Sequence, residues 1–263
     1  MSAYFTDVEV ILSMPAKEYF ARPEISRSEL VSLLESPAKF PWNRAHPITA
    51  TPAMQLGSLV HALTLTPREF DAEYLVSEES SRRTKGWKAD VDLAEQTGRE
   101  CVLTRDMGIA EHIAEAAQAA FPAILEACQK EVAIIATHAE TGIRVKARLD
   151  LLHSEYVADL KTTKAADRSS FQRSVGNFRY DIQAAFYGDI AGALAGLEHL
   201  PFLFACVETE EPYMTAEWDL DEDWIEHGRA DYERALGLFK KYEAEGYPTT
   251  LGKGTLIPKP WQL

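Results

Sequence analysis

Between Arg144 and Lys161 the chain reads R-V-K-A-R-L-D-L-L-H-S-E-Y-V-A-D-L-K, which spaces two aspartates and a lysine so that they could act on one phosphate. The stretch fits two short strands joined by a polar turn. In the first, Val145, Ala147 and Leu149 fall on one face, with Arg144, Lys146, Arg148 and Asp150 on the other. In the second, Val157 to Lys161, Asp159 and Lys161 share a face because side chains repeat every two residues. If the two strands are neighbours, Asp150 and Asp159 come within reach of one hard cation, beside an ammonium group. Carboxylate oxygens suit Mg²⁺ or Mn²⁺, and a nearby lysine can position or activate a water. Such a set is equipment for hydrolysing a phosphodiester bond.

The flanking sequence must supply the frame. Glu131 to Leu152 predicts two strands joined through His138–Gly142, with Val157 to Lys161 as a third. Ser169 to Ala195 predicts a helix broken near Gly176. Phe202 to Glu208 and Met214 to Leu220 read as strands, Asp223 to Glu245 as an amphipathic helix, and the tail TLIPKPWQL as extended. Upstream, Ser26 and Glu29 are spaced as a capping box for a helix that should stop before Pro37. Residues 41–53 read as a loop. Met54 to Leu65 predicts a helix that buries Leu56, Leu59, Val60 and Leu63. The polar stretch 77–100 reads as exposed, and Thr104 to Cys128 as an Ala-rich helix or pair interrupted by Pro122. The order predicts an α/β fold: helix, three antiparallel-leaning strands, helix, strand in a mixed sheet, with additional N-terminal and C-terminal helices. One domain spanning 1–263 is expected, with a mainly helical part at 1–128 and the sheet core with its C-terminal helix at 129–263.

Bulk properties narrow the function. Hydrophobic residues make up 46% and charged residues 26% of 263, the balance of an ordinary globular protein. No run approaches the ~18 apolar residues that a membrane span needs. The first twenty residues lack a basic-then-apolar signal layout, so a cytoplasmic protein is expected. Cys101, Cys128 and Cys206 are scattered, which argues against a disulfide framework or a CxxC metal site. The net charge of −14 is unusual for a protein that binds nucleic acid. It is segregated, however. Arg144, Lys146, Arg148, Lys161, Lys164, Arg168, Arg173 and Arg179 face only Asp150, Glu155, Asp159 and Asp167 in that window, while acids crowd Glu208 to Glu233.

Four marks in this order resemble the PD-(D/E)XK nuclease superfamily, in its RecB-like branch and the exonuclease VIII (RecE-type) catalytic domain. They are Gly57–His61 (G-S-L-V-H), Arg148–Asp150 (R-L-D), Asp159–Lys161 (D-L-K) and Tyr180–Tyr187 (Y-D-I-Q-A-A-F-Y). The likeness runs from the Ile25–Phe40 segment to Glu211–Tyr213 and the Pro-Trp near the end. It implies metal ligation by His61, Asp150, Asp159 and the main-chain carbonyl of Leu160. It also implies a catalytic Lys161, with Gln183 and Tyr187 lining the site. Asp159 stands where relatives often carry Glu, and the cysteine cluster of iron–sulfur relatives is missing. The resemblance further implies Mg²⁺, with Mn²⁺ able to substitute, and double-stranded DNA ends cut from 5′ to 3′. It also carries a ring-shaped homo-oligomer, a tetramer, a single-strand annealing partner and a role in phage-type recombination.

Outside these motifs, Glu131 starts a strand and reads equally well as a further site carboxylate or as a solvated residue. Arg82, Arg83, Lys85 and Trp87 could grip DNA through phosphate contacts and stacking, as could Arg148 and Lys146, with Thr162 and Lys164 beside the site. Two alternatives remain open: a non-catalytic DNA-binding or recombination-accessory protein on the same fold, which the net charge favours, and a structure-specific endonuclease.

Overall fold

The strands that carry the aspartates lie at the centre of a mixed sheet in a computed structural model of the protein, which describes residues 4–12, 14–250 and 252. The chain begins with β1 (Phe5–Ile11), α1 (Ala16–Ala21), β2 (Ile25–Ser26), α2 (Arg27–Glu35), α3 (Phe40–Ala45) and α4 (Pro52–Leu65). Then come α5 (Phe70–Glu73), β3 (Tyr74–Ser77), α6 (Lys85–Gln96), β4 (Glu100–Leu103), α7 (Thr104–Ala120) and α8 (Pro122–Ala127). The core follows as β5 (Gln129–His138), β6 (Arg144–Leu152), β7 (Val157–Thr163), α9 (Arg168–Phe178), α10 (Tyr180–Ala195), β8 (Phe202–Glu208), β9 (Thr215–Asp219) and α11 (Glu222–Glu245).

The main sheet runs β1-β5-β6-β7-β8-β9, with β2 pairing in parallel to β6. Only β7 and β8 are parallel along the main path, because α9 and α10 carry the chain back across one face before β8 begins. That face is sealed by Leu30 and Leu33 of α2, Ile182 and Phe186 of α10, and Tyr232 and Leu236 of α11, packed on Val132, Val145, Ala147 and Leu149. The opposite face takes Leu59 and Val60 of α4 and Ile113 of α7, on Leu151, Leu160 and Val207.

Local signals explain most boundaries. Ser26 accepts from the Glu29 amide while the Glu29 carboxylate accepts from Ser26 N at 2.8 Å, so the capping box forms as its spacing predicts. Thr51 caps α4 directly before Pro52, whose missing N–H costs nothing at a first helical position. Gly228 lets α11 close on α10, since a Cβ there would stand 2.2 Å from the Asp181 carbonyl oxygen.

The structure adds to or shifts the sequence expectation at four segments. Phe5–Ile11 is a strand paired with β5. Part of the 41–53 loop is helical, as α3. The polar stretch 77–100 is largely exposed, as its composition predicts, and folds around α6, whose N-cap Thr84 accepts from Trp87 N, between the parallel strands β3 and β4. The helix break falls at Arg179, in the left-handed conformation at φ 54°, rather than at Gly176. The C-terminal TLIPKPWQL, with its Pro-Trp, lies outside the described residues.

Candidate active site

One edge of β6 is shared by two partners. Val145 and Lys146 pair with β2, Leu151 and Leu152 pair with β7, and residues 147–150 between them pair with neither on that edge. Main-chain polar groups in such an opening need other partners. The Asp150 carboxylate takes the Leu160 N–H at 3.0 Å, the bond a further rung of the ladder would have made. The Tyr187 hydroxyl accepts from the Arg148 main chain. The candidate site is built into this parting of the strands.

Around Asp150 stand His61 from α4 and Glu131 from β5. His61 Nδ1 approaches Asp150 Oδ2 to 3.4 Å, and one ligand atom from each of the three residues lies within 4.8 Å of the others. The main chain of Leu160 also hydrogen-bonds the imidazole. Gly57 lets α4 lie close to β7, for a Cβ there would stand 3.2 Å from Thr162 Oγ1. Glu131, whose sequence context fits a solvated strand start as well as a site carboxylate, is placed at the site by the hairpin register. Lys130 pairs with Leu151 and Val132 with Leu149, so Glu131 lies opposite Asp150. It adopts φ 53°, and Arg148 Nε stands 2.5 Å from its carboxylate.

The second aspartate enters with the lysine. Asp159 Oδ1 accepts from Gln183 Nε2 at 2.5 Å, and Lys161 Nζ donates to Gln183 Oε1 at 3.0 Å. Asp159 Oδ2 lies 2.6 Å from Lys161 Nζ, so the two form a buried ion pair inside the site. Lys161 Nζ also sits 4.5 Å from the Tyr180 ring centroid.

Electrostatics fit a cation. Burial and the charge of Asp159 push Asp150 well above the usual carboxylate range. Burial and Asp150 push Glu131 up to about 7. Burial lowers His61, so its imidazole is neutral and offers a lone pair. Burial opposes charge on Lys161, but Asp159, Tyr180 and Asp150 more than offset it and hold the ammonium above its ordinary range. The crowded carboxylates of Glu131 and Asp150 and the neutral imidazole of His61 form a donor set that a divalent ion accepts.

The remaining expectations divide. Lys146 is not at the site: it is 4% exposed, and its Nζ donates to the carbonyls of Tyr19, Phe20 and Arg22 at 3.0, 3.5 and 2.7 Å. Alternation set its face correctly, but α1 and the residues after it cover that face. Arg148 lines the site, held by Glu131. Lys164 is exposed just past β7. Arg82 is tied to Asp106 at 2.8 Å and Gln55 at 3.2 Å, and lies 5.8 Å from the Trp87 ring centroid, so it is engaged within the protein. Arg83 and Lys85 are exposed beside it. Arg27, which the motifs did not mark, donates to the carbonyls of Phe178 and Arg179 at 2.5 Å each and carries a buried, unpartnered Nε.

No helix among the described residues is long and apolar enough to cross a membrane. No curated protein matches the chain. Among solved structures, it is similar to the crystal structure of a putative exonuclease from Eubacterium rectale, at 18% identity, a TM-score of 0.60, and coverage of 95% of this chain and 96% of that one. A second, protein VC1899 from Vibrio cholerae, matches at 11% identity, covering 91% of this chain and 58% of that one, with a TM-score of 0.24 that carries no argument. The family described as a PDDEXK-like domain of unknown function (DUF3799) matches residues 26–255. That match takes in every motif residue from His61 to Tyr187, and the mixed sheet with its flanking helices has the restriction-endonuclease-like form expected of such a domain; the chain belongs to this PDDEXK-like family.

Proposed function

We propose that this protein is a divalent-metal-dependent exodeoxyribonuclease of the exonuclease VIII kind, acting on ends of linear duplex DNA. The observation that carries the reading is the convergence of His61, Glu131 and Asp150 within 4.8 Å, with Asp159 and Lys161 adjoining. The name of the Eubacterium rectale structure, a putative exonuclease, points the same way. His61, Asp150, Asp159 and the Leu160 carbonyl would hold Mg²⁺, or Mn²⁺ in its place, with Glu131 as a further carboxylate. A bound ion supplies a Lewis acid and neutralises charge gathering on the phosphate.

The protein's own groups do the rest. Lys161 orients the attacking water and faces the charge that grows on the phosphoryl oxygens. Gln183 bridges Lys161 and Asp159, so neither can turn away from the other. Tyr187 holds the opening in β6 through the Arg148 main chain, which makes it a positioning residue. Water loses a proton to solvent as its oxygen bonds to phosphorus, the bond to the leaving sugar oxygen breaks, and that oxygen takes a proton from solvent. Exposed Lys164, Arg168 and Arg173, with Arg83 and Lys85, are the phosphate contacts, since Lys146 and Arg179 are engaged within the fold.

The 5′ to 3′ direction, a tetrameric ring, an annealing partner and phage-type recombination belong to the same reading through the resemblance, and a cytoplasmic setting through the N-terminal composition. The test uses purified protein with Mg²⁺ on end-labelled linear duplex and on closed circles. Linear DNA should be shortened progressively, circles spared, and Asp159→Ala inactive with an unchanged circular dichroism spectrum. Cutting of circles would mark an endonuclease, and activity that survives Asp159→Ala would refute the site.

A further inference from the structure

The corner between α9 and α10 is fixed more firmly than a surface turn requires. Arg179 adopts φ 54° and ψ 47°, a conformation that a non-glycine residue keeps only when its surroundings enforce it. The enforcement is visible. Arg179 donates to Asp181 at 3.1 and 2.9 Å and to Asp231 of α11, and Arg27 holds the carbonyls of Phe178 and Arg179. A glycine at this position would make the same turn without such anchors. What the anchored corner presents is Phe178, whose side chain is 60% exposed although Phe171 and Tyr180 nearby are buried or half-buried.

Phe178 is also close to the chemistry. Its ring centroid is 5.6 Å from that of Tyr180, and Lys161 Nζ is 4.5 Å from the Tyr180 centroid. The Phe178 ring therefore lies within about 10 Å of the lysine nitrogen, the rise of about three stacked nucleotides. An exposed aromatic ring on a rigid support stacks on any nucleobase, because every base has a π-face. The backbone of the bound strand would meet exposed Arg168 and Arg173 on the same helix. We propose that Phe178 is a stacking platform for one unpaired nucleobase close to the phosphate being cut, so that the enzyme binds a frayed, single-stranded terminus without reading its sequence. This inference rests on the nuclease reading above.

The experiment is a double-mutant cycle between protein and DNA. Full-length Asp159→Ala protein, which should not cut, is titrated with Mn²⁺ present against duplexes bearing a short single-stranded end, beside wild-type protein with Ca²⁺ in place of Mn²⁺. The end carries either all its bases or one abasic site at successive positions. With Phe178 present, removing the base at one position should weaken binding by about 5- to 150-fold, the range for loss of one base–aromatic stack. Phe178→Ala should weaken binding to intact DNA by a similar factor and bring no further loss with the abasic end. Phe178→Trp should restore affinity, with its fluorescence quenched on binding. The inference is overturned if Phe178→Ala binds like its parent, if it weakens intact and abasic ends equally, or if it alters oligomeric mass in place of affinity. If wild-type protein degrades linear DNA while the cycle shows no coupling, only the stacking role falls. If wild-type protein neither binds nor cuts DNA with Mn²⁺ or Mg²⁺, both readings fall.

Discussion

Glu131 offers a quantitative test of the site without substrate. Its carboxyl is pushed up to about 7 by burial and by Asp150, from an ordinary value of 4.5, while its side chain keeps only 18% of its exposure. At about 1.4 kcal/mol per pH unit, that difference corresponds to about 3 kcal/mol of linkage. In metal-free protein the folded carboxyl holds its proton more tightly than the unfolded chain does. Its contribution to stability is therefore complete below pH about 4.5 and is lost as pH rises through about 7. For a chain of this size, about 3 kcal/mol corresponds to roughly 6–12 °C in Tm. Differential scanning calorimetry in EDTA at pH 5 and pH 8 should show wild-type protein losing that much more than Glu131→Gln, which cannot ionise. Divalent metal reverses the trend, because a cation takes the proton's place. Mn²⁺ binding should release protons near pH 6.5 and tighten until the pH passes about 7. Parallel Tm profiles for wild type and Glu131→Gln would refute the account of the carboxylate cluster.

Three further outcomes are expected. Tyr187→Phe removes the acceptor for the Arg148 main-chain N–H in the opening of β6 and should cost about 1–3 kcal/mol in urea melts, while Mn²⁺ still binds. Lys146→Ala leaves three carbonyls without their donor and should cost more than about 1.5 kcal/mol, yet leave the salt dependence of DNA affinity unchanged. Lys164→Ala should do the opposite, lowering DNA affinity with little change in Tm and reducing the slope of log K against log salt by about 1.

The sequence disclosed which side chains come together more fully than what encloses them. Asp150, Asp159 and Lys161 were legible because strand alternation fixes their faces and short spacing fixes their strands. Glu131 was equally legible in principle, since the turn at His138–Gly142 sets a register that puts it opposite Asp150. Lys146 shows the limit. Its face follows from alternation, but that α1 would shelter this face depends on a segment more than a hundred residues away. The break at Arg179 escaped notice because arginine has no tendency to turn, and the ion pairs with Asp181 and Asp231 that hold it are tertiary. The polar composition of 77–100 predicts its exposure but not the helix α6, which a Thr84 cap and a flanking pair of parallel strands position.

The shared edge of β6 ties the frame of the candidate site to residues 25 and 26. Its two clamps have very different reach: β7 follows five residues after β6, whereas Ile25 must return across about 120 residues to meet Val145. Loop closure of that length is slow, so the aperture gains its second jamb late in folding. Until then β6 carries a bare edge beside clustered carboxylates, and a fragment lacking the first 26 residues would keep that edge permanently available to other strands.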